Sequence, residues 1–219
     1  MRIHKVLPFL LAVAALPAEA TTTYYCSDAT CGANTQAAFN AAFGALLTAG
    51  LTSTGTVNFT GATSGVTVSN VAGTGTNFTG FNNALPSTLN VVGSQLQNTS
   101  SGAGSGIGIL LPAGVFAFGA HVTQPVATMK FYCFEANPGD CDVNFTLVSG
   151  IPAFVGIISD VPLPALQLRD TGTASFLYVN DFILAETPEA STFVMVGTGL
   201  ILFAMPKRKK RRVEQSLEC

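Results

Sequence analysis

Short apolar runs that alternate with polar residues, broken by glycine, proline, asparagine or serine, constrain this chain more than any other feature. Period-two alternation places one set of side chains on one face of an extended strand. The turn residues between runs stop each run from continuing. In segment 115–122, Phe116, Phe118, Ala120 and Val122 share a face. Phe131 and Cys133 share one in 129–135, and Val143, Phe145 and Leu147 share one in 143–148. Further strands are predicted over 56–59, 66–69, 89–92, 107–111, 154–159, 165–169 and 175–184. The last is apolar on both faces, with Phe176, Tyr178 and Phe182 on one and Leu177, Val179 and Ile183 on the other. That pattern suits a central strand covered from both sides. Segment 98–106, NTSSGAGSG, reads as a flexible loop or hairpin tip. About ten short strands with frequent turns predict an all-β fold, a jelly-roll-like two-sheet β-sandwich.

One segment has helical spacing. In 35–48, TQAAFNAAFGALLT, Phe39, Phe43 and the Leu46/Leu47 pair recur three to four residues apart. Asn34 or Thr35 can cap its start, and Gly50 can end it. This short N-terminal helix is expected to cover one open end or edge of the sandwich.

The two ends of the chain carry addresses rather than fold. Arg2, His4 and Lys5 precede an apolar stretch over 6–15, and Ala18 and Ala20 flank Glu19 as a small-x-small site. This is the pattern of a signal peptide over 1–20, with the mature chain starting at Thr21 and signal peptidase and the secretion machinery as partners. At the other end, Pro188, Glu189 and Ala190 precede an apolar run over 192–205, and Lys207, Arg208, Lys209, Lys210, Arg211 and Arg212 follow it. The apolar run is shorter than the ~20 residues of a comfortable span. Snorkelling cations and local thinning close such a gap, and the basic cluster fits the cytoplasmic end of a stop-transfer helix. A β-sandwich domain over 21–186, the tail signal over 187–212 and a cytoplasmic remnant over 213–219 complete the expected organisation.

The order Pro-Glu, short apolar helix, basic cluster resembles the PEP-CTERM sorting signal of exported bacterial proteins. The resemblance covers 187–212. It implies an exosortase-like membrane protease as partner, with Pro188, Glu189 and Ala190 as the recognition and processing motif and Lys207 to Arg212 setting orientation. It further implies a transient inner-membrane anchor, followed by delivery to the cell envelope, the surface or an extracellular polysaccharide matrix. The sequence departs from the family at Ala190, where proline is usual, and in running on past the basic cluster. Segment 154–184 also looks like the last strands of β-sandwich domains that carry such tails.

Between 21 and 187 the cations are Lys130 and Arg169, against Asp28, Glu135, Asp140, Asp142, Asp160, Asp170, Asp181 and Glu186, a net charge of −6 where the whole chain has −2. A surface of that sign disfavours nucleic acid and anionic lipid. Four cysteines of the same body form two close pairs, Cys26/Cys31 and Cys133/Cys141. In an oxidising compartment local disulfides are expected, although four cysteines allow three connectivities. Gaps of four and seven residues are not usual zinc spacings.

Catalytic chemistry finds little support. His121 is the one histidine of the body and falls on the strand face opposite Phe118 and Ala120, so it is expected at the surface. No G-x-S-x-G elbow occurs, and Gly102, Gly104, Gly106 and Gly108 match no phosphate-binding fingerprint. No enzyme activity and no cofactor are expected. Asp140 and Asp142, near Glu135 and Asn137, are weak calcium candidates, and Asp160, Asp170 and Asp181 are a second set. The expected state is nevertheless no metal. The chain has no tryptophan for stacking on sugars, but Tyr24, Tyr25, Tyr132 and Tyr178 remain available. Sequons at Asn58, Asn77, Asn98 and Asn144 are expected by chance in a chain this rich in threonine. The expected function is a non-enzymatic exported surface or matrix protein. The alternative is a lectin-like carbohydrate-binding module that uses sandwich-edge loops, with or without calcium.

Overall fold

A computed structural model of the chain describes residues 21–27, 31–100, 102–124, 130–136, 142–148, 150–171 and 176–188, with the backbone alone for 130–133. The strands are β1 (Thr22–Cys26), β2 (Thr52–Ser53), β3 (Val57–Asn58), β4 (Thr67–Val68), β5 (Asn77–Asn82), β6 (Leu85–Ser87), β7 (Leu89–Val92) and β8 (Gln95–Asn98). They continue as β9 (Ser105–Leu110), β10 (Val115–Thr123), β11 (Lys130–Glu135), β12 (Val143–Leu147), β13 (Ala153–Ser159), β14 (Ala165–Asp170) and β15 (Tyr178–Glu186). Among the described residues one α-helix, α1 (Gln36–Thr48), follows β1, and a short 3-10 turn spans Val71–Gly73. Sheet A runs β1-β13-β10-β15-β8-β7, with β2 and β3 also on β15. Sheet B runs β12-β11-β14-β9-β5-β4, with β6 on β5. All pairings are antiparallel.

The inner faces carry the alternating apolar residues. Phe118, Val122 and Val155 from sheet A meet Phe78, Ile107, Phe134 and Leu168 from sheet B, all fully or nearly fully buried. Phe78 packs on Phe59 edge to face at 5.0 Å and on Phe182 at 5.2 Å. Burying each such ring contributes about 1.5–3 kcal/mol, so this layer holds the two sheets together. Asn98 adds a polar tie across it. Its buried amide accepts from Ser87 Oγ at 2.7 Å and donates to the Phe81 and Gly106 carbonyls at 3.1 and 2.6 Å. Asn98 thereby bonds sheet A to β5, β6 and β9 of sheet B; the expected loop over 98–106 is shorter, since Asn98 ends β8 and Ser105 and Gly106 begin β9.

The helix does not sit at an end of the sandwich. It lies on the outer face of sheet A and makes a third layer. Thr35 caps it, accepting from the Ala38 N–H at 3.3 Å, and Gly50 at φ +106° leaves it. Phe39 and Phe43 point down onto Ala117, Phe154 and Ala185. Two glycines admit Phe39. Gly119 on β10 and Gly156 on β13 are direct partners. A Cβ on Gly119 would lie 2.9 Å from Phe39 Cζ, and one on Gly156 would lie 2.8 Å from Phe39 Cδ2. The face is cut away where the ring enters.

The predicted strands are present with ends shifted by a few residues. β1, β2, β5, β6 and β8 are additions. β15 is central, but its two faces are not those of simple alternation. The register passes from His121↔Asp181 to Val122↔Val179, so Asn180 is an extra, bulged residue. The bulge puts Val179 in the same core as Phe182 and Leu184. The Cys26–Cys31 disulfide is formed, with Cα atoms 5.7 Å apart. Cys141 lies outside the described residues, as does the Cys133 side chain, so their pairing does too. No helix among the described residues is long and apolar enough to cross a membrane. The signal segment 1–20 and the tail from 189 onward lie outside the described residues.

Candidate functional site

The outer face of sheet B has no helix over it among the described residues. Registers fix what it presents. Phe81, Gly106 and Arg169 stand side by side on β5, β9 and β14, and so do Thr79, Gly108 and Gln167 in the next row. Glu135 on β11 extends that second row. The middle position of each row is therefore a glycine. The result is a trough one strand wide, floored by β9 backbone and walled by Thr79 and Phe81 on one side and Gln167 and Arg169 on the other. It encloses about 440 Å³. A Cβ on Gly106 would lie 2.5 Å from Phe81 Cζ and press on the Leu168 carbonyl, so the half-buried ring leans over the floor. A Cβ on Gly108 would meet Thr79 Oγ1 at 2.8 Å.

One end of the trough is closed by a tied set of turns. β5 and β6 are joined by Asn83 and Ala84, both at positive φ (47° and 67°), the two-residue turn that suits the twist of a hairpin. The Asn83 N–H donates to the Gly104 carbonyl at 2.9 Å, and the Gly104 N–H donates to the Asp170 carbonyl at 2.9 Å. Gly104, at φ +86°, has the Asn83 side chain where a Cβ would stand. Left-handed backbone at Ala84 costs on the order of 1 kcal/mol, and the surrounding bonds hold it there.

The charges in the trough answer each other. Arg169 Nη2 sits 3.3 Å from Glu135 Oε2, with the glutamate fully buried and the guanidinium side chain 30% exposed. What remains facing outward is a hydroxyl, two planar amides, a guanidinium edge and an aromatic ring. Such groups supply hydrogen-bond donors and acceptors beside an apolar surface, the usual make-up of a small-molecule or oligomer site. Glu135 is the single carboxylate among the described residues lining the trough. Glycoside hydrolysis by the common route needs two.

The sequence candidates lie elsewhere. His121 Nδ1 is 2.7 Å from Asp181 Oδ1, and its Nε2 is 3.0 Å from the Gln36 amide nitrogen. If Nδ1–H donates to Asp181, Nε2 accepts from Gln36. That nitrogen faces an amide at the helix start and not a hydroxyl nucleophile. A larger cleft of about 540 Å³ opens between β1 and β12. In it Tyr24 donates to Asp142 Oδ2 at 2.5 Å, and the Ala136 N–H donates to the same oxygen at 2.9 Å. Burial, then the bonded Asp142 carboxylate, pushes the Tyr24 phenol well above its usual range. Asp160 takes the Thr21 N–H and hydroxyl at 2.9 and 2.8 Å, while Asp170 is buried at the end of β14. Among the described residues no three metal-ligating side chains are grouped. Asp140 lies outside them. Of the tail motif Pro188 alone is described. Glu189, Ala190 and the cations Lys207 to Arg212 are outside, as are Ala18 and Ala20.

Sequence reasoning did not find Phe81 or Thr79. Asn77–Asn82 reads NFTGFN, and its asparagines and glycine look like a loop. The signal was there in Phe78 and Phe81, whose odd spacing puts one ring in the core and one on the trough. Tyr25, an expected sugar platform, is instead buried under the helix against Phe39 at 5.4 Å.

No protein-family model matches the chain, and no curated protein matches it. Among solved structures it is similar to the CBM22-1 xylan-binding domain from Paenibacillus barcinonensis Xyn10C, with TM-score 0.38 and 16% identity over 64% of this chain and 97% of that one. A mutant of a family 29 carbohydrate binding module aligns at TM-score 0.31 and 15% identity over 51% of this chain and 93% of the other. A family 6 carbohydrate-binding module aligns at 0.29 and 13% over 60% and 93%. Likeness of this degree says nothing about what this chain binds.

Proposed function

We propose that the chain is a non-enzymatic, exported surface protein that holds a neutral polysaccharide in the trough of sheet B. Its jelly-roll-like character rests on the chain's passing from sheet to sheet between β8 and β15. The observation that carries the binding role is the strip of β9 backbone at Gly106, beneath half-buried Phe81, and at Gly108 beside it, with amides and a guanidinium along the walls. A sugar ring would lie on Phe81 and offer its hydroxyls to Gln167, Thr79 and Asn83. Neutrality of the ligand follows from charge. The single cation among the described residues of the trough is already matched by Glu135, and a body of net charge −6 repels polyanions. Export and sorting rest on the end segments. The signal peptide delivers the domain, and the tail anchors it until an exosortase-like protease acts near Pro188.

The test is affinity electrophoresis of the full chain, one copy per lipid nanodisc, through gels containing a glucan, a xylan, a mannan or a polyuronate. Retardation by at least one neutral polymer is expected, weakened roughly tenfold by Phe81→Ala, a loss of about 1.4 kcal/mol. Retardation by the polyuronate alone, falling steeply with salt, would reverse the neutral assignment. No retardation by any polymer would remove the binding role. The sorting half is checked by intact mass of the chain from its native host. A product spanning Thr21 to about Pro188–Ala190 supports it, and a membrane form intact to Cys219 contradicts it.

A further inference from the structure

We propose a second polysaccharide-binding face on the opposite side of the sandwich, on the part of sheet A that the helix leaves uncovered. The proposal rests on the reading of the sheet B trough as a polysaccharide site and extends it to a two-faced binder. Helix α1 lies over β1, β13 and part of β10 and β15. Its first turn ends at His121, which Gln36 touches. One strand position further, the outer face presents a row of different character. Thr123, Tyr178 and Gln97 stand side by side on β10, β15 and β8. Their inward neighbours Val122, Val179 and Leu96 are in the core, so these three point away from it.

The bulge at Asn180 organises this row. An extra residue re-aims a side chain at a sheet face, and here Asn180 Oδ1 accepts from Gln95 Nε2 at 2.9 Å and from Thr123 Oγ1 at 3.0 Å. A shallow depression of about 420 Å³ lies against Tyr178, Asn180, Gln95 and Thr123. Its chemistry repeats that of the trough. A half-buried aromatic ring lies in a row of planar amides and a hydroxyl, and no carboxylate or cation is among the described residues that line it. A neutral glycan that lies on Phe81 with amides at its flanks finds the same groups here.

The two faces look in opposite directions, because each sheet turns its inner face to the other. A single stretch of glycan cannot occupy both. One protein molecule would therefore hold two polysaccharide chains, and the gain is a cross-link rather than higher affinity for one chain. A surface protein so built would tie matrix polymers to each other.

The experiment uses the full chain, one copy per nanodisc so that bridging cannot come from clustered anchors, and the neutral polymer that retards it most. Two quantities are read, retardation in the gel and the rise in light scattering when protein joins polymer chains. Tyr178→Ala and, separately, Gln95→Ala are compared with Phe81→Ala, each with its melting temperature checked against the parent. Expected is a three- to tenfold weaker retardation for either face alone, loss of the scattering rise in each of Tyr178→Ala and Phe81→Ala, and no binding in the double variant. Unchanged retardation and unchanged scattering in both Tyr178→Ala and Gln95→Ala would overturn the second face, whatever Phe81→Ala does. Binding lost in Tyr178→Ala and untouched in Phe81→Ala would keep this face and sink the trough. No retardation of the parent chain by any polymer would overturn both.

Discussion

Both sheets carry a pair of glycines where side chains would otherwise stand, and the chain treats the two gaps differently. On sheet A, Gly119 and Gly156 sit side by side on neighbouring strands, and the helix fills the gap with Phe39. On sheet B, Gly106 and Gly108 sit along one strand; Phe81 leans over Gly106, and among the described residues Gly108 meets only Thr79. The first gap is a joint between layers. The second stays open at Gly108 among the described residues, flanked by polar groups. A missing Cβ is therefore not a weakness in either sheet. It makes room for a ring of the chain's own in one place and, on the proposed reading, for a sugar ring in the other.

This contrast makes unequal predictions. Phe39→Ala empties the joint and should cost about 3–5 kcal/mol by urea unfolding; a cost below 1 kcal/mol would mean the helix does not depend on that gap. Gly156→Ala drives a methyl into Phe39 and Phe154 and should destabilise by about 1–3 kcal/mol. Gly108→Ala meets only a threonine hydroxyl that can rotate away, so it should be neutral or slightly stabilising. Equal costs for the two alanines would erase the distinction between joint and trough. Replacing Cys26 and Cys31 together by serine loosens the approach to the helix. With a sequence separation of 5, loop-closure entropy puts its loss at about 2 kcal/mol. A small, pH-dependent effect is expected far from both gaps. The Thr21 N–H and hydroxyl hold the Asp160 carboxylate below its usual range. Its contribution is then present above the unfolded carboxylate value of about 4 and is lost as pH falls below that. Melting curves of the parent and Asp160→Asn should differ slightly at neutral pH and converge in acid.

Much of the fold could be read from the residues. The alternation in 115–122 and 143–148 located β10 and β12, and the phenylalanine spacing in 35–48 located the helix with its Thr35 cap. The position of the helix was not readable, because nothing in 35–48 says which surface receives it. That information is in Gly119 and Gly156, and two isolated glycines within strands look like weak spots until their register is known. The site was less legible for a related reason. Phe81 and Thr79 belong to a strand whose sequence is turn-like, and the trough exists only once β5, β9 and β14 are in register. The faces of β15 were misread because one bulged asparagine reverses the alternation on either side of it. Local pattern records which residues are extended, whereas a groove depends on which strands become neighbours.

A substitution that fills the trough without touching the core separates binding from folding. Gly108 has ordinary strand backbone, and valine there suits a sheet. Gly108→Val and the parent, each as the full chain in single-copy nanodiscs, would be titrated calorimetrically with the neutral polysaccharide that retards the parent most. The trough isotherm is expected to disappear, with the melting temperature within about 2 °C of the parent. Binding of unchanged affinity and stoichiometry in a folded Gly108→Val chain would contradict the binding role of the trough.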